Sequence, residues 1–152
     1  MSDHLIAGRR VRGLTLKRPW PWAFEFAGKR VENRKWAPPR ALVGGWLALH
    51  AGKGWDAPSV PLFVNGEFGP AAARVLDDIH PDSRIFALAR IASFYERDDG
   101  PMRGPWAFGP FVWELTDFTV LPIPVDCRGA QGLWRLSGDV FEQVRVQLER
   151  VT

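Results

Sequence analysis

Leu14 to Trp36 reads LTLKRPWPWAFEFAGKRVENRKW, a stretch that sets a strand, a short helix and a second strand end to end. Val11 to Leu16 alternates apolar and polar residues, the two-residue period of a strand. Pro19 and Pro21 end that strand, and Pro21 suits the first turn of a helix, where its missing N–H costs no bond. Trp22 to Ala27 supply about one and a half turns at 3.6 residues per turn. Gly28 is the residue expected in the left-handed conformation that stops a helix. Arg30 to Arg34 alternates again, with Val31 on one face and Arg30, Glu32 and Arg34 on the other.

The same stretch carries the candidate functional residues. Lys17, Arg18, Lys29, Arg30, Arg34 and Lys35 crowd around Trp20, Trp22 and Trp36, with Glu32 among them. Cations attract a polyanion, and indole faces offer stacking surface to bases. Lys17, Arg18, Arg34 and Lys53 are therefore expected on phosphate, Trp20 or Trp36 on a base, and His50 is counted among the nucleic-acid-binding residues. Glu32 would accept hydrogen bonds from amino or imino groups. At least one of Trp20, Trp22 and Trp36 is expected to serve packing alone.

Outward from this centre, residues 1–10 read as a loose basic arm. Gly45 to Ala51 reads as a buried strand, with Trp46, Ala48 and His50 on one face and Leu47, Leu49 and Ala51 on the other. Gly52 and Gly54 predict a turn, and Asp56 a helix cap. Pro58 and Pro61 forbid a long helix over 57–64, whereas Pro70 to Ile79 reads as a helix opened by its proline. Arg84 to Tyr95 and Phe111 to Leu121 are long strands, the second broken by Pro122 and Pro124. A short strand piece follows at Gly132 to Leu136. Ser137 caps a final helix, 138–151, in which Val140, Val144, Leu148 and Val151 recur at helical spacing beside Phe141. Trp46, Trp113 and Trp134 are expected in the core. Strands interrupted by short helices predict an α+β, mainly β fold, a small curled mixed sheet in one domain over residues 1–152.

Charge is divided unevenly. Residues 1–53 hold eleven Lys or Arg against Asp3, Glu25 and Glu32, a net of +8, and the remainder nets −5 within an overall +3. Such asymmetry points to a polyanionic partner. No apolar run approaches the roughly 18 residues of a membrane span, and MSDHLIAGRRVRG does not read as a secretory signal. Cys127 is the one cysteine, which excludes an internal disulfide and makes a reduced, cytoplasmic setting the expectation.

Several chemistries lack their motif. Lys53 sits in GKG rather than in a phosphate loop, and no G-x-G-x-x-G occurs, so no nucleotide cofactor is expected. His4, His50 and His80 form no zinc pattern, and no G-x-S-x-G elbow is present. His50, at the end of an apolar strand, reads first as a core or rim histidine with one hydrogen bond. Cys127 reads as an inert thiol.

Three segments taken together, LKRPWPWAFEFAGKRVENRKW, GGWLALHAGKGWD and WAFGPFVWELTDFTVLPIPVDCRGAQGLWRL, resemble the activating-signal-cointegrator homology (ASCH) domain of the PUA-like superfamily. The resemblance spans residues 14–136 and includes Lys29-x-x-Glu32-x-Arg34. It implies a small PUA-like mixed β-barrel flanked by short helices, with a cleft near the first helix. It also implies RNA or single-stranded nucleic acid as ligand, including a modified nucleoside held in a pocket. Some members of the family deacetylate acetylcytidine with a lysine, a threonine three residues later and a distant glutamate. Lys29 matches the lysine, Glu32 stands where the threonine would be, and the third residue has no counterpart placed in the sequence. As a nucleoside amidohydrolase this chain would need water activated by Glu32 and a carbonyl polarised by Lys29. Ribonuclease activity, with His50 or Glu32 as acid or base, is a further family alternative. A protein-interaction adaptor using exposed tryptophans is the reading from a different class.

Overall fold

The computed structural model describes residues 3–78 and 80–151, and its frame is a mixed sheet. The strands are β1 (Leu5–Ile6), β2 (Arg9–Arg18), β3 (Val31–Arg34), β4 (Trp46–Trp55), β5 (Arg84–Glu96), β6 (Phe111–Asp126) and β7 (Leu133–Trp134). The helices are α1 (Trp20–Phe26), α2 (Val60–Val64), α3 (Pro70–Arg74) and α4 (Gly138–Val151). Strand order is β1-β2-β4-β5-β6-β3, with β7 also on β2. Only β2 and β4 run parallel among the registered pairs. The sheet curls into a half-barrel, and apolar clusters cover both of its faces.

Alternation along β4 decides which core each residue joins. Leu47, Leu49 and Ala51 pack inside the curl with Leu14, Leu16, Phe24, Ile91 and Trp113. Trp46 and Ala48 face the other way, onto Val144 and Leu148 of α4. A strand buried on both faces reads as a near-continuous apolar run, as GWLALHA does. A third cluster joins Trp22 and Ala23 of α1 to Phe63, Ala72, Val75 and Trp106. The α4 entrance follows its expected chemistry, with Val140 N donating to Ser137 Oγ at 3.3 Å.

Five expectations are corrected. From Asp3 onward the N-terminal arm is not loose: Leu5 and Ile6 pair with Arg10 and Arg9, and Asp3 binds Arg10 and Arg12 at 3.0 and 2.9 Å. His4 stacks on Phe141 with ring centroids 4.2 Å apart. Gly52 and Gly54 make no turn, since β4 runs on to Trp55. Gly52 serves close approach instead, because a Cβ there would stand 2.8 Å from Thr15 Cγ2. Pro122 and Pro124 do not break β6, which continues to Asp126. They fall where the β5–β6 register jumps from Val120 to Val125, so their missing N–H groups interrupt no ladder. Gln147 of α4 takes the strand partner's place there, donating to Ile123 O and accepting from Ile123 N, both at 2.8 Å. The helix expected over Pro70 to Ile79 ends at Arg74, and Ile79 lies outside the described residues, as does the side chain of Val151. Trp134 is half-buried rather than core.

Candidate functional site

The half-barrel leaves a seam. β3 is the last strand of the sheet, and past Leu14 the free edge of β2 has no strand partner among the described residues. Arg34 spans the gap, its Nη2 reaching Thr15 O at 3.5 Å. A cavity of about 560 Å³ opens there, between β2, α1, β3 and the loops carrying Phe108 and Gln131. That volume lies in the range of small-molecule sites.

Local sequence explains how the floor is built. Gly28, at φ +77°, lets the chain leave α1 and turn directly into β3. Lys29 is thereby folded beneath α1, its Nζ 4.2 Å from the Phe24 ring centroid and 5.3 Å from that of Trp20. Its ammonium donates to Val31 O and lies 3.6 Å from Glu32 Oε1. Burial is nearly complete, at 1% exposure, and pushes the Lys29 pKa down to about 8, against the opposing pull of Glu32.

Glu32 is 6% exposed and is held by three neighbours. Besides Lys29, Arg34 Nη2 donates to its Oε2 at 3.1 Å, and Asn33 N to its Oε1 at 3.1 Å. A carboxylate has about four acceptor positions, so capacity remains on the side that lines the cavity. Arg30, expected beside Glu32 and Arg34, instead turns back to close α1, donating to Phe24 O and Lys29 O at 2.8 and 2.7 Å.

The structure brings Lys17, Trp20, Lys29, Glu32 and Arg34 to one cavity. Trp20 stands in an aromatic wall with Phe63, Phe68, Trp106 and Phe108. Arg18 lies elsewhere: it lies 3.7 Å from Asp82, donates to Lys53 O and covers the Trp55 ring. Trp22 is buried against Trp55 and His80. Trp36 packs edge-on to Trp113, away from the cavity lining. His50 and Lys53 line a second, adjoining cavity. His50 is buried with both nitrogens engaged, Nδ1 with Thr15 Oγ1 at 3.2 Å and Nε2 with Cys127 O at 2.8 Å. Cys127 O only accepts, so the proton sits on Nε2 and Nδ1 accepts from Thr15. Burial lowers the His50 pKa and raises that of the Cys127 thiol.

Sequence reasoning missed most of the rest of the lining, Asp56 and Asn33 among it. Asp56, expected as a helix cap, makes no cap bond and instead accepts from Trp20 Nε1 at 2.8 Å. It is a second carboxylate on the cavity. Asn33 clamps the 106–109 loop, accepting from Phe108 N and Gly109 N and donating to Trp106 O, all at 2.9 Å. Its only sequence signal was an amide next to Glu32. Among the described residues no cluster of His, Cys, Asp and Glu has the makings of a metal site, and no helix is long and apolar enough to cross a membrane.

No family model matches the chain, and no curated protein does. Solved structures do. An ASCH protein from Zymomonas mobilis superposes with a TM-score of 0.54 over 88% of this chain and 92% of its own, at 13% identity. A serine-to-alanine variant of the Zymomonas mobilis protein gives 0.51 over 92% and 96%, at 14% identity. Identity that low speaks to backbone architecture alone. The chain shares the fold of these ASCH structures.

Proposed function

We propose that the cavity at the β2–β3 seam binds a base of RNA or another single-stranded nucleic acid, modified nucleosides included. One observation carries this reading: Glu32, almost wholly buried, lines a cavity of about 560 Å³ whose wall is Trp20 and whose rim bears Lys17. A base edge with N–H donors gains charge-assisted hydrogen bonds to the carboxylate. An acceptor-only edge would face the carboxylate without a donor and lose affinity. The PUA-like architecture is compatible with such a ligand, and the basic N-terminal third supplies attraction to its backbone.

Glu32→Gln tests it, with binding to short single-stranded homopolymers of each base followed by fluorescence anisotropy. A well-made base contact discriminates by about 1–3 kcal/mol, or roughly 5- to 150-fold. The wild type should show such a preference, and the variant should change it while keeping its affinity for mixed sequence. Equal loss on every homopolymer would overturn the reading.

One observation favours a second reading. Lys29, with its pKa lowered to about 8, lies beside a carboxylate in the cavity wall, an arrangement suited to hydrolysing a modified nucleoside. In that reaction Glu32 takes a proton from water, Lys29 polarises the acetyl carbonyl, and acetate and cytidine leave. Incubation with acetylcytidine, followed by absorbance, decides it. Turnover lost in Lys29→Ala supports the reading, and no turnover by the wild type sinks it for that substrate.

A further inference from the structure

The base-binding cavity has a neighbour. A second cavity of about 750 Å³ shares Thr15, Ala130 and Gln131 with the first and extends to His50, Lys53 and Arg128. The partition between them is a fixed saddle. Gly129 lies so close to it that an added Cβ would stand 2.3 Å from Thr15 Oγ1 and 2.7 Å from His50 Nδ1. Thr15 is itself pinned, accepting from Trp134 Nε1 at 3.1 Å and meeting His50 at 3.2 Å. Both ring nitrogens of His50 are used, so this end of the groove offers shape and charge rather than an acid or base.

The charges around the second cavity do not cancel. Its acidic neighbours are already matched, Asp126 with Arg84 at 3.2 Å and Asp82 with Arg18 at 3.7 Å. Among the described residues, the side chains of Lys53 and Arg128 have no hydrogen-bond or ion-pair partner, and neither has that of Lys17 on the first cavity. Lys17 and Lys53 belong to the neighbouring strands β2 and β4. Three uncommitted cations thus stand along two joined hollows, one of which has an aromatic wall and a hydrogen-bonding carboxylate.

We propose that the second cavity is the subsite of an adjacent nucleotide, and that the linking phosphodiester crosses the Thr15–Gly129 saddle toward Lys17, Lys53 and Arg128. The ligand is then a strand of two or more nucleotides, not a free nucleoside. The proposal rests on the base-binding reading of the first cavity, and the test separates the two.

The probes are a nucleoside, its monophosphate, a dinucleoside monophosphate and a hexanucleotide, all carrying the base that the homopolymers select. Binding is measured by calorimetry at two salt concentrations. The dinucleotide should bind at least about tenfold tighter than the nucleoside, a difference of about 1.4 kcal/mol. Its log–log salt dependence should be steeper by about 0.7 per phosphate engaged. Lys53→Ala/Arg128→Ala should abolish that gain and flatten the slope. Arg40→Ala/Arg74→Ala removes the same charge from residues on neither cavity, and should retain the gain. If the dinucleotide binds no tighter than the nucleoside, or both double variants lose equally, the second subsite is overturned while the first cavity stands. If no probe binds, the base-binding reading falls and the subsite with it.

Discussion

Trp20 Nε1 donates to Asp56 Oδ2 at 2.8 Å, fastening the first residue of α1 to the residue just beyond β4. Both line the cavity, so the bond fixes the angle of the aromatic wall against the sheet. A hydrogen bond to a charged group contributes about 1.5–3 kcal/mol when buried, and less where half-exposed. Trp20→Phe and Asp56→Ala should therefore be coupled by about 1 kcal/mol in a double-mutant cycle read by urea unfolding. Strict additivity would show that the bond contributes nothing to stability.

Lys29 makes stability depend on alkaline pH. Its folded pKa of about 8 lies below its ordinary 10.5, so between these values the unfolded chain binds the extra proton. Stability contributed by this group therefore rises with pH through that window, and the full cost of the buried charge is present below pH 8. The relief amounts to about 3 kcal/mol. Comparing urea unfolding of wild type and Lys29→Met at pH 7 and pH 10 isolates it: the wild type should gain relative to the variant as pH rises. A parallel response of both proteins would contradict a neutralising Lys29.

Asn33 holds the far wall through three hydrogen bonds to the 106–109 loop. At a net value near 1 kcal/mol each, Asn33→Ala should lose about 2–3 kcal/mol of stability. Asn33→Asp keeps the acceptor toward Phe108 N and Gly109 N but sets a carboxylate oxygen against Trp106 O, so it should recover part of that loss only. Ligand affinity should fall in both, since Phe108 and Gly109 line the cavity. Unfolding midpoints and anisotropy titrations on the same preparations check the two effects.

Gly13 lies under an indole. A Cβ built there would stand 2.4–2.6 Å from atoms of the Trp134 ring. Gly13→Ala must push Trp134 aside, break its bond to Thr15 Oγ1 and loosen β7 from β2, with which it pairs at Gly13 and Leu14. Overpacking of this kind costs about 1–3 kcal/mol. Thermal unfolding should report it, together with a shift in tryptophan emission. An unchanged midpoint would mean that β7 contributes nothing to holding the saddle.

The limits of sequence reading lie in particular residues. GWLALHA announced a strand buried on both faces, and the two cores receive its residues in the alternation expected. PWPWAFEFAG announced a short helix ended by glycine, as found. The glycines and prolines misled where their meaning was not local. Gly52 answers to Thr15 on the neighbouring strand, and Pro122 and Pro124 are accommodated by a register jump against β5 and by Gln147. A turn and a close approach ask for the same residue, and only the neighbour distinguishes them.

The candidate site divides along the same line. Lys29, Glu32 and Arg34 were legible because three residues within one short turn and strand share a place whatever the rest of the chain does, and the side-chain period of a strand sets their face. Which candidate side chains remain free to meet a ligand was decided by tertiary structure alone. Arg18 is taken up by Asp82 and Lys53 O, His50 by Thr15 and Cys127 O, while Lys17 stays on the cavity. Asp56, the 106–109 loop and the 129–132 loop reach the seam from distant parts of the chain. Periodicity fixes which way a side chain points from its strand, but the curl of the sheet determines which edges are left unpaired and therefore where a hollow can open.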